Sequence, residues 1–152
     1  MTLAALDPGT AAPPIPGVAL GGTPLALFFY KVTCPVCQMA APKVQAVEEA
    51  YPGLIIGVGQ DPEPKLAAFA REYGMTFPQR SDAPPYAASM DYGIRVVPTL
   101  FVVDGDGVIV SSTESWDREG FNAGSRKLAE LAGLPYRAVS EPGDGLPPFR
   151  PG

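Results

Sequence analysis

The residues best suited to chemistry are two cysteines separated by two residues, in Cys34-Pro35-Val36-Cys37. A thiol attacks a disulfide only as its thiolate, which an ordinary cysteine with a pKa of ~8.5 supplies poorly at neutral pH. At this spacing the pair closes too small a loop to be a useful structural staple. It can be two unreactive core thiols, since free cysteine is often buried, or a redox pair, which this spacing favours. Histidine is absent, and with it goes the commonest general base and metal ligand. Tetrahedral zinc wants four ligands and the chain has no further Cys or His, so the metal reading left is a two-thiolate Cu(I) carrier.

A redox pair needs an element that stabilises one thiolate. Leu25-Ala-Leu-Phe-Phe-Tyr30 is a continuous apolar run, the pattern of a central strand buried on both faces. After Cys34 the apolar spacing turns helical through Val36, Met39/Ala40, Val44 and Val47, and Tyr51-Pro52-Gly53 ends it. Cys34 therefore falls at about the N-cap, and Pro35 at the first helical position, where its missing N–H costs nothing. The unpaired amides and the positive end of the helix dipole would point at the Cys34 sulfur. Cys34 reads as the exposed nucleophile. Cys37, one turn further in, reads as the resolving thiol.

Further elements follow in order. Leu54 to Val58 is a second buried strand, and a helix from Glu63 or Pro64 through Leu66, Phe69 and Tyr73 stops at Gly74. Residues 75 to 95 are irregular, with a short helix around Tyr86 to Tyr92. Thr99 to Val103 is a third strand, Asp104-Gly-Asp-Gly107 a hairpin turn, and Val108 to Ser112 the return strand. A last helix covers about Trp116 to Leu131. The expected fold is α/β, with a mixed central sheet flanked by helices on both faces. Residues 1–24, with five prolines, form an extended arm with one short edge strand near Ile15 to Leu20. Residues 25–133 form the domain, and 134–152 a Pro/Gly-rich tail, disordered from Ser140 onward.

At 152 residues and 46% apolar, the chain can bury one good core. Its formal charge of −5 and lack of a basic stripe argue against nucleic acid or an anionic membrane surface as partner. No stretch approaches the roughly 20 apolar residues of a membrane helix. Met1 to Gly22 lacks the basic and apolar regions of a signal peptide. That points to a cytoplasmic address if Met1 is the natural start, and to an extracytoplasmic one if a leader has been removed.

These residues resemble the thioredoxin superfamily, and within it the bacterial TlpA-like disulfide reductases, from about Leu25 to Gly133. The resemblance rests on the aromatic strand leading to Cys34-Pro-Val-Cys37, Pro42 five residues after the second Cys, and Asp61 after the second strand. Tyr92-Gly-Ile-Arg-Val-Val-Pro98-Thr and Phe101-Val-Val-Asp-Gly-Asp-Gly107 complete it. Pro42 breaks the local rule, since proline inside a helix costs roughly 3 kcal/mol; the family keeps one at this place. The resemblance also implies that Pro98 is cis and lies across from the cysteines, although only ~5–6% of X-Pro bonds are cis. Val97 before it would then pair its backbone with a substrate chain. The implied activity is a cofactor-free, monomeric thiol–disulfide oxidoreductase acting on disulfide-containing or dithiol proteins, with Thr33, Pro35 and Val36 also shaping the site.

Three departures stand out. Thr33 replaces the Trp of thioredoxin before the first Cys. Phe28 stands where thioredoxin has a buried acid, and Ala40 where some TlpA-like reductases have Glu. The usual acid–base helper for Cys37 is thus missing. Lys31, Asp61, Glu63 and Arg95 are candidates for tuning the pair, each competing with an ordinary solvated charge.

Two other classes compete. A peroxiredoxin has a proline and a threonine seven and three residues before its peroxidatic Cys. Aligned on Cys37 those fall on Tyr30 and Cys34, and aligned on Cys34 on Leu27 and Lys31, so the peroxide-positioning threonine is absent. A binding module that retains the fold and a structural cysteine pair is the non-enzyme reading.

Overall fold

The computed structural model describes residues 4–152; the first three residues of the arm lie outside it. Seven strands and four helices are set out along the described chain. They are β1 (Leu25–Tyr30), α1 (Pro35–Ala50), β2 (Ile55–Gly59), α2 (Glu63–Tyr73), β3 (Gln79–Ser81) and α3 (Ala87–Asp91). Then come β4 (Thr99–Val103), β5 (Ile109–Glu114), β6 (Trp116–Asp117), α4 (Arg118–Ala132) and β7 (Phe149–Arg150).

Five strands form one mixed sheet in the order β3-β2-β1-β4-β5. β1 runs parallel to β2 and antiparallel to β4, and all six of its residues are buried. Successive side chains of a strand point to opposite faces, so this one strand feeds two cores. Ala26, Phe28 and Tyr30 pack with α1, α2 and α4 through Val44, Leu66, Phe69, Phe121 and Leu128. Leu25, Leu27 and Phe29 pack on the other side with Ala88, Tyr92, Ile94 and Phe101, roofed by α3 and by Ile15 of the arm. The continuous apolar run in β1 reflects this double burial.

The helix boundaries follow their chemistry. Gly74 ends α2 and Gly133 ends α4, each in the left-handed conformation that glycine adopts without a Cβ penalty. Asp117 caps α4 by accepting the Gly120 N–H at 3.1 Å. Pro42 lies inside α1 on an exposed position, so the amide it lacks is missing on the solvent side.

Three expectations need correction. The arm makes no strand at Ile15 to Leu20. It meets the sheet earlier, where Ala11 bridges Val108 and the Gly9 and Ala12 amides donate to Ile109 and Gly107. Pro13, Pro14 and Pro16 have no N–H to give, so pairing ends before them. The irregular stretch 75–95 contains β3, which adds a parallel edge to β2.

The third concerns residues 134–152, which lie docked along the domain. The Asn122 amide accepts from the Val139 and Ser140 amides and donates to the Ser140 carbonyl. Tyr51 Oη accepts the Arg137 N–H at 2.9 Å, and Trp116 Nε1 donates to the Pro147 carbonyl at 2.8 Å. Asp144 gathers the Ser140 hydroxyl, the Glu141 and Leu146 amides, Arg118 and Lys43. The Ser140 hydroxyl first, then the Leu146 amide, Lys43 and the Glu141 amide, hold its carboxyl well below the usual range. Proline- and glycine-rich composition says that a segment cannot build its own core. It says nothing of docking, in which side chains of a finished domain satisfy the segment's backbone.

Candidate active site

The fold sets the cysteines at the point where β1 hands over to α1. Cys34 is the N-cap of α1, with extended backbone, and its sulfur accepts the Cys37 N–H at 3.2 Å. Pro35 occupies the first turn and lends no competing amide. The loop before it is tied down from two sides. Gln38 Nε2 donates to the Val32 carbonyl, and the Val32 amide donates to Asp61 Oδ2 at 2.9 Å. Across the gap, Cys34 Sγ lies 3.5 Å from the Val97 carbonyl, which accepts a hydrogen bond from the thiol when it is protonated. The Val97–Pro98 peptide bond is cis, and so is Pro84–Pro85, which the sequence did not single out.

Both thiols are free, and their environments drive them apart. Hydrogen bonding from the Cys37 side chain, helped by the Cys37 and Val36 amides and the Arg150 charge, lowers Cys34 to about 6 against opposing desolvation. Burial, reinforced by the neighbouring Cys34, pushes the Cys37 thiol far upward. One sulfur is thus a thiolate at neutral pH while the other keeps its proton, which is the asymmetry a nucleophile and a resolving thiol require.

A pH dependence follows. Iodoacetamide should alkylate the reduced protein at a rate that is half-maximal near pH 6 and flat by about pH 8. A midpoint near the free-thiol value of ~8.5 would mean that the helix end does not activate Cys34. Stability of the dithiol form is linked to the same groups. The lowered Cys34 contributes stability fully present above its unfolded value and lost as pH falls through about 6. The raised Cys37 contributes stability present below its unfolded value and lost above it.

The remaining sequence candidates divide clearly. Thr33 and Pro35 are exposed beside Cys34, whereas the Val36 side chain is buried in the core and offers the site its amide alone. Of the four charges considered for tuning, Asp61 is buried and anchors the Val32 loop. Lys31 lies over the Tyr86 ring, 5.8 Å from its centroid. Arg95 is engaged in a two-pronged pair with Glu114, and Glu63 sits in the first turn of α2. Phe28 and Ala40 are both fully buried, and neither carries a group that can take a proton.

Sequence reasoning missed two features near the pair. Tyr30, at the end of β1, donates its hydroxyl to Gln79 Oε1 at 2.7 Å; burial first, then Asp61 and Cys37, raise its pKa. Its position at the strand end nearest the cysteine loop was a readable signal. The second is Ser115, a buried non-glycine residue at φ +68° whose amide donates to the Pro98 carbonyl. Nothing local in the sequence marks it.

A mixed five-stranded sheet presenting a cysteine at a helix N-cap, opposite a cis-proline loop, defines a thioredoxin-like protein. The chain belongs to the AhpC/TSA family, whose match runs over residues 17–112. A curated relative, the thiol:disulfide interchange protein DsbE homolog of Paracoccus denitrificans, is 29% identical over 83 residues. That match takes in 54% of this chain but spans only 45% of the relative's length. Among solved structures, a Bacteroides thetaiotaomicron protein superposes with a TM-score of 0.72 at 22% identity, over 86% of this chain and 94% of its own. A secreted disulfide oxidoreductase of Mycobacterium tuberculosis, described as homologous to E. coli DsbE, superposes with a TM-score of 0.60 at 21% identity, over 76% and 84%. These likenesses establish the fold.

Proposed function

We propose that the protein is a thiol–disulfide oxidoreductase that reduces disulfides in polypeptide substrates, with Cys34 as nucleophile and Cys37 as resolving thiol. The observation that carries this reading is the Cys34 sulfur, held at the N-cap of α1 by the Cys37 amide and facing the Val97 backbone. The relative named as a thiol:disulfide interchange protein supports it.

The chemistry balances as a two-electron exchange. The Cys34 thiolate attacks one sulfur of the substrate disulfide, forming a mixed disulfide and releasing the other sulfur as a thiolate. Cys37 then loses its proton and attacks the Cys34 sulfur, which closes the Cys34–Cys37 disulfide and releases the second substrate thiol. Substrate is reduced and the pair is oxidised. With Phe28 and Ala40 beneath the pair, the Cys37 proton passes to water or to the departing thiolate.

Reduction of insulin by dithiothreitol, followed by precipitation of the freed B chain, tests the reading. The wild-type protein should accelerate it well beyond dithiothreitol alone, and no acceleration would overturn the assignment. Membership of the AhpC/TSA family favours one other reading, a thiol peroxidase. A peroxidase needs donors that hold the peroxide against the thiolate. Among the described residues no side-chain hydroxyl donates to Cys34, while Leu27 is buried in the core and Tyr30 is bonded to Gln79. Consumption of hydrogen peroxide at a rate matching disulfide reduction would favour that reading instead.

A further inference from the structure

The segment that ends in Gly152 returns to the cysteines. β7 pairs antiparallel with β6, placing Arg150 opposite Trp116 and Phe149 opposite Asp117. Beyond it, the Gly152 amide donates to Ser115 Oγ at 3.1 Å, and Ser115 in turn donates its amide to the Pro98 carbonyl at 2.8 Å. Ser115 holds the left-handed conformation, which is unfavourable for a non-glycine residue. The backbone of Gly152 lies directly on that of Val97. A Cβ added to Gly152 would overlap the Val97 carbonyl, so only glycine fits there.

Val97 is where a substrate chain would pair. Among the described residues its amide and carbonyl exchange no backbone hydrogen bond with the rest of the chain, and its carbonyl meets only the Cys34 thiol. Those groups are open in their bonding yet covered in space. An open groove of about 320 Å³, lined by Gln60, Ile94, Arg95, Val96, Val97 and Gly152, continues alongside. Gly152 is the residue that covers Val97; residues 149 to 152, which carry it there, are all exposed, and β7 is only two residues long. Short, exposed pairings of this kind open at low free-energy cost.

We propose that residues 149–152 are a built-in cover over the Val97 edge that selects which disulfides reach Cys34. Small disulfides approach the exposed side of Cys34 directly. Extended polypeptides, which must pair with Val97, engage only after the segment steps aside. This rests on the disulfide-exchange reading above and adds a specificity-determining element to it. The Arg150 charge, which favours the Cys34 thiolate, travels with the cover.

The test uses the full chain carrying Cys37→Ser, so that attack by Cys34 stops at the mixed disulfide. Rates of mixed-disulfide formation are compared for 5,5′-dithiobis(2-nitrobenzoate) and for a disulfide within an extended peptide. Working at about pH 8 keeps Cys34 ionised even if the Arg150 charge is lost. Gly152→Val, which cannot sit against Val97, should raise the peptide rate about fivefold relative to the small reagent, because a covered site reduces apparent affinity by the uncovered fraction. Ser115→Gly, which keeps the backbone conformation but removes the acceptor for Gly152, should move the ratio the same way. An unchanged or lower ratio in both variants would overturn the cover. Insulin reduction by the wild type distinguishes the two ideas. An unchanged ratio with normal insulin turnover removes the cover alone, and a raised ratio without turnover removes the reductase alone.

Discussion

Cys34→Ser is expected to return insulin reduction to the rate of dithiothreitol alone, while Cys37→Ser is expected to stall as a covalent adduct with substrate. The two outcomes differ because the two sulfurs differ in environment. Cys34 is lowered to about 6 by hydrogen bonds from Cys37 and the helix amides, so it is the sulfur that the proposed mechanism has attack. A serine hydroxyl at the same N-cap could accept the Cys37 amide equally well and leave α1 intact, yet an alcohol does not exchange with disulfides. Structure is preserved and chemistry is lost. Cys37 is fully buried and its thiol is pushed upward, so it does not compete for the incoming disulfide. Without it the first step proceeds and the second cannot. Non-reducing electrophoresis of Cys37→Ser with excess insulin checks this, since a band at the combined mass should appear and vanish on reduction. Stable adducts in both single variants would mean that the assigned order of attack is wrong.

Trp116→Ala is expected to be the most damaging substitution outside the cysteine pair, costing about 3–5 kcal/mol. Trp116 is fully buried, and its ring meets Phe121 edge-on at 5.0 Å between centroids. Its Nε1–H satisfies the Pro147 carbonyl, and its backbone pairs with Arg150. The residue therefore joins α4, the sheet and the docked segment 134–152. A loss of that size consumes much of the roughly 5–15 kcal/mol that stabilises a domain. The thermal midpoint should fall by roughly 10 °C or more, and proteinase K should begin to cut between residues 140 and 149. Trp116→Phe retains most of the apolar volume and loses the hydrogen bond, so it should fall well short of that change. A midpoint within about 2 °C of wild type for Trp116→Ala would contradict this account of the packing.

Much of the sheet and of the cysteine site was legible because the signals were local. β1 showed its double burial as an unbroken apolar run, and Cys34-Pro35 carried both the cap and the first helical residue. β4 and the turn at residues 104–107 were readable for the same reason. What escaped depends on contacts distant in sequence. β3 is three polar residues, Gln79-Arg80-Ser81, that become a strand only because β2 supplies a partner. The docking of residues 134–152 is invisible in its composition, since its partners are Asn122, Tyr51, Arg118 and Trp116. Asp61 could be singled out as a charge near the site, but its use as an anchor for the Val32 amide required the fold.

The two margins of the sheet have a bearing on how the molecule meets other chains. β3 ends one margin after three residues, with polar side chains throughout. At the other, the arm lies against the start of β5 through Ala11 and Val108. Short, polar or shielded margins discourage indiscriminate strand addition and the aggregation that follows from it. On the disulfide-exchange reading proposed above, a chain that guards its sheet in this way would expose a reactive sulfur to disulfide-bearing polypeptides without recruiting them along its edges. Pairing would then be left to the Val97 backbone, 3.5 Å from Cys34 Sγ.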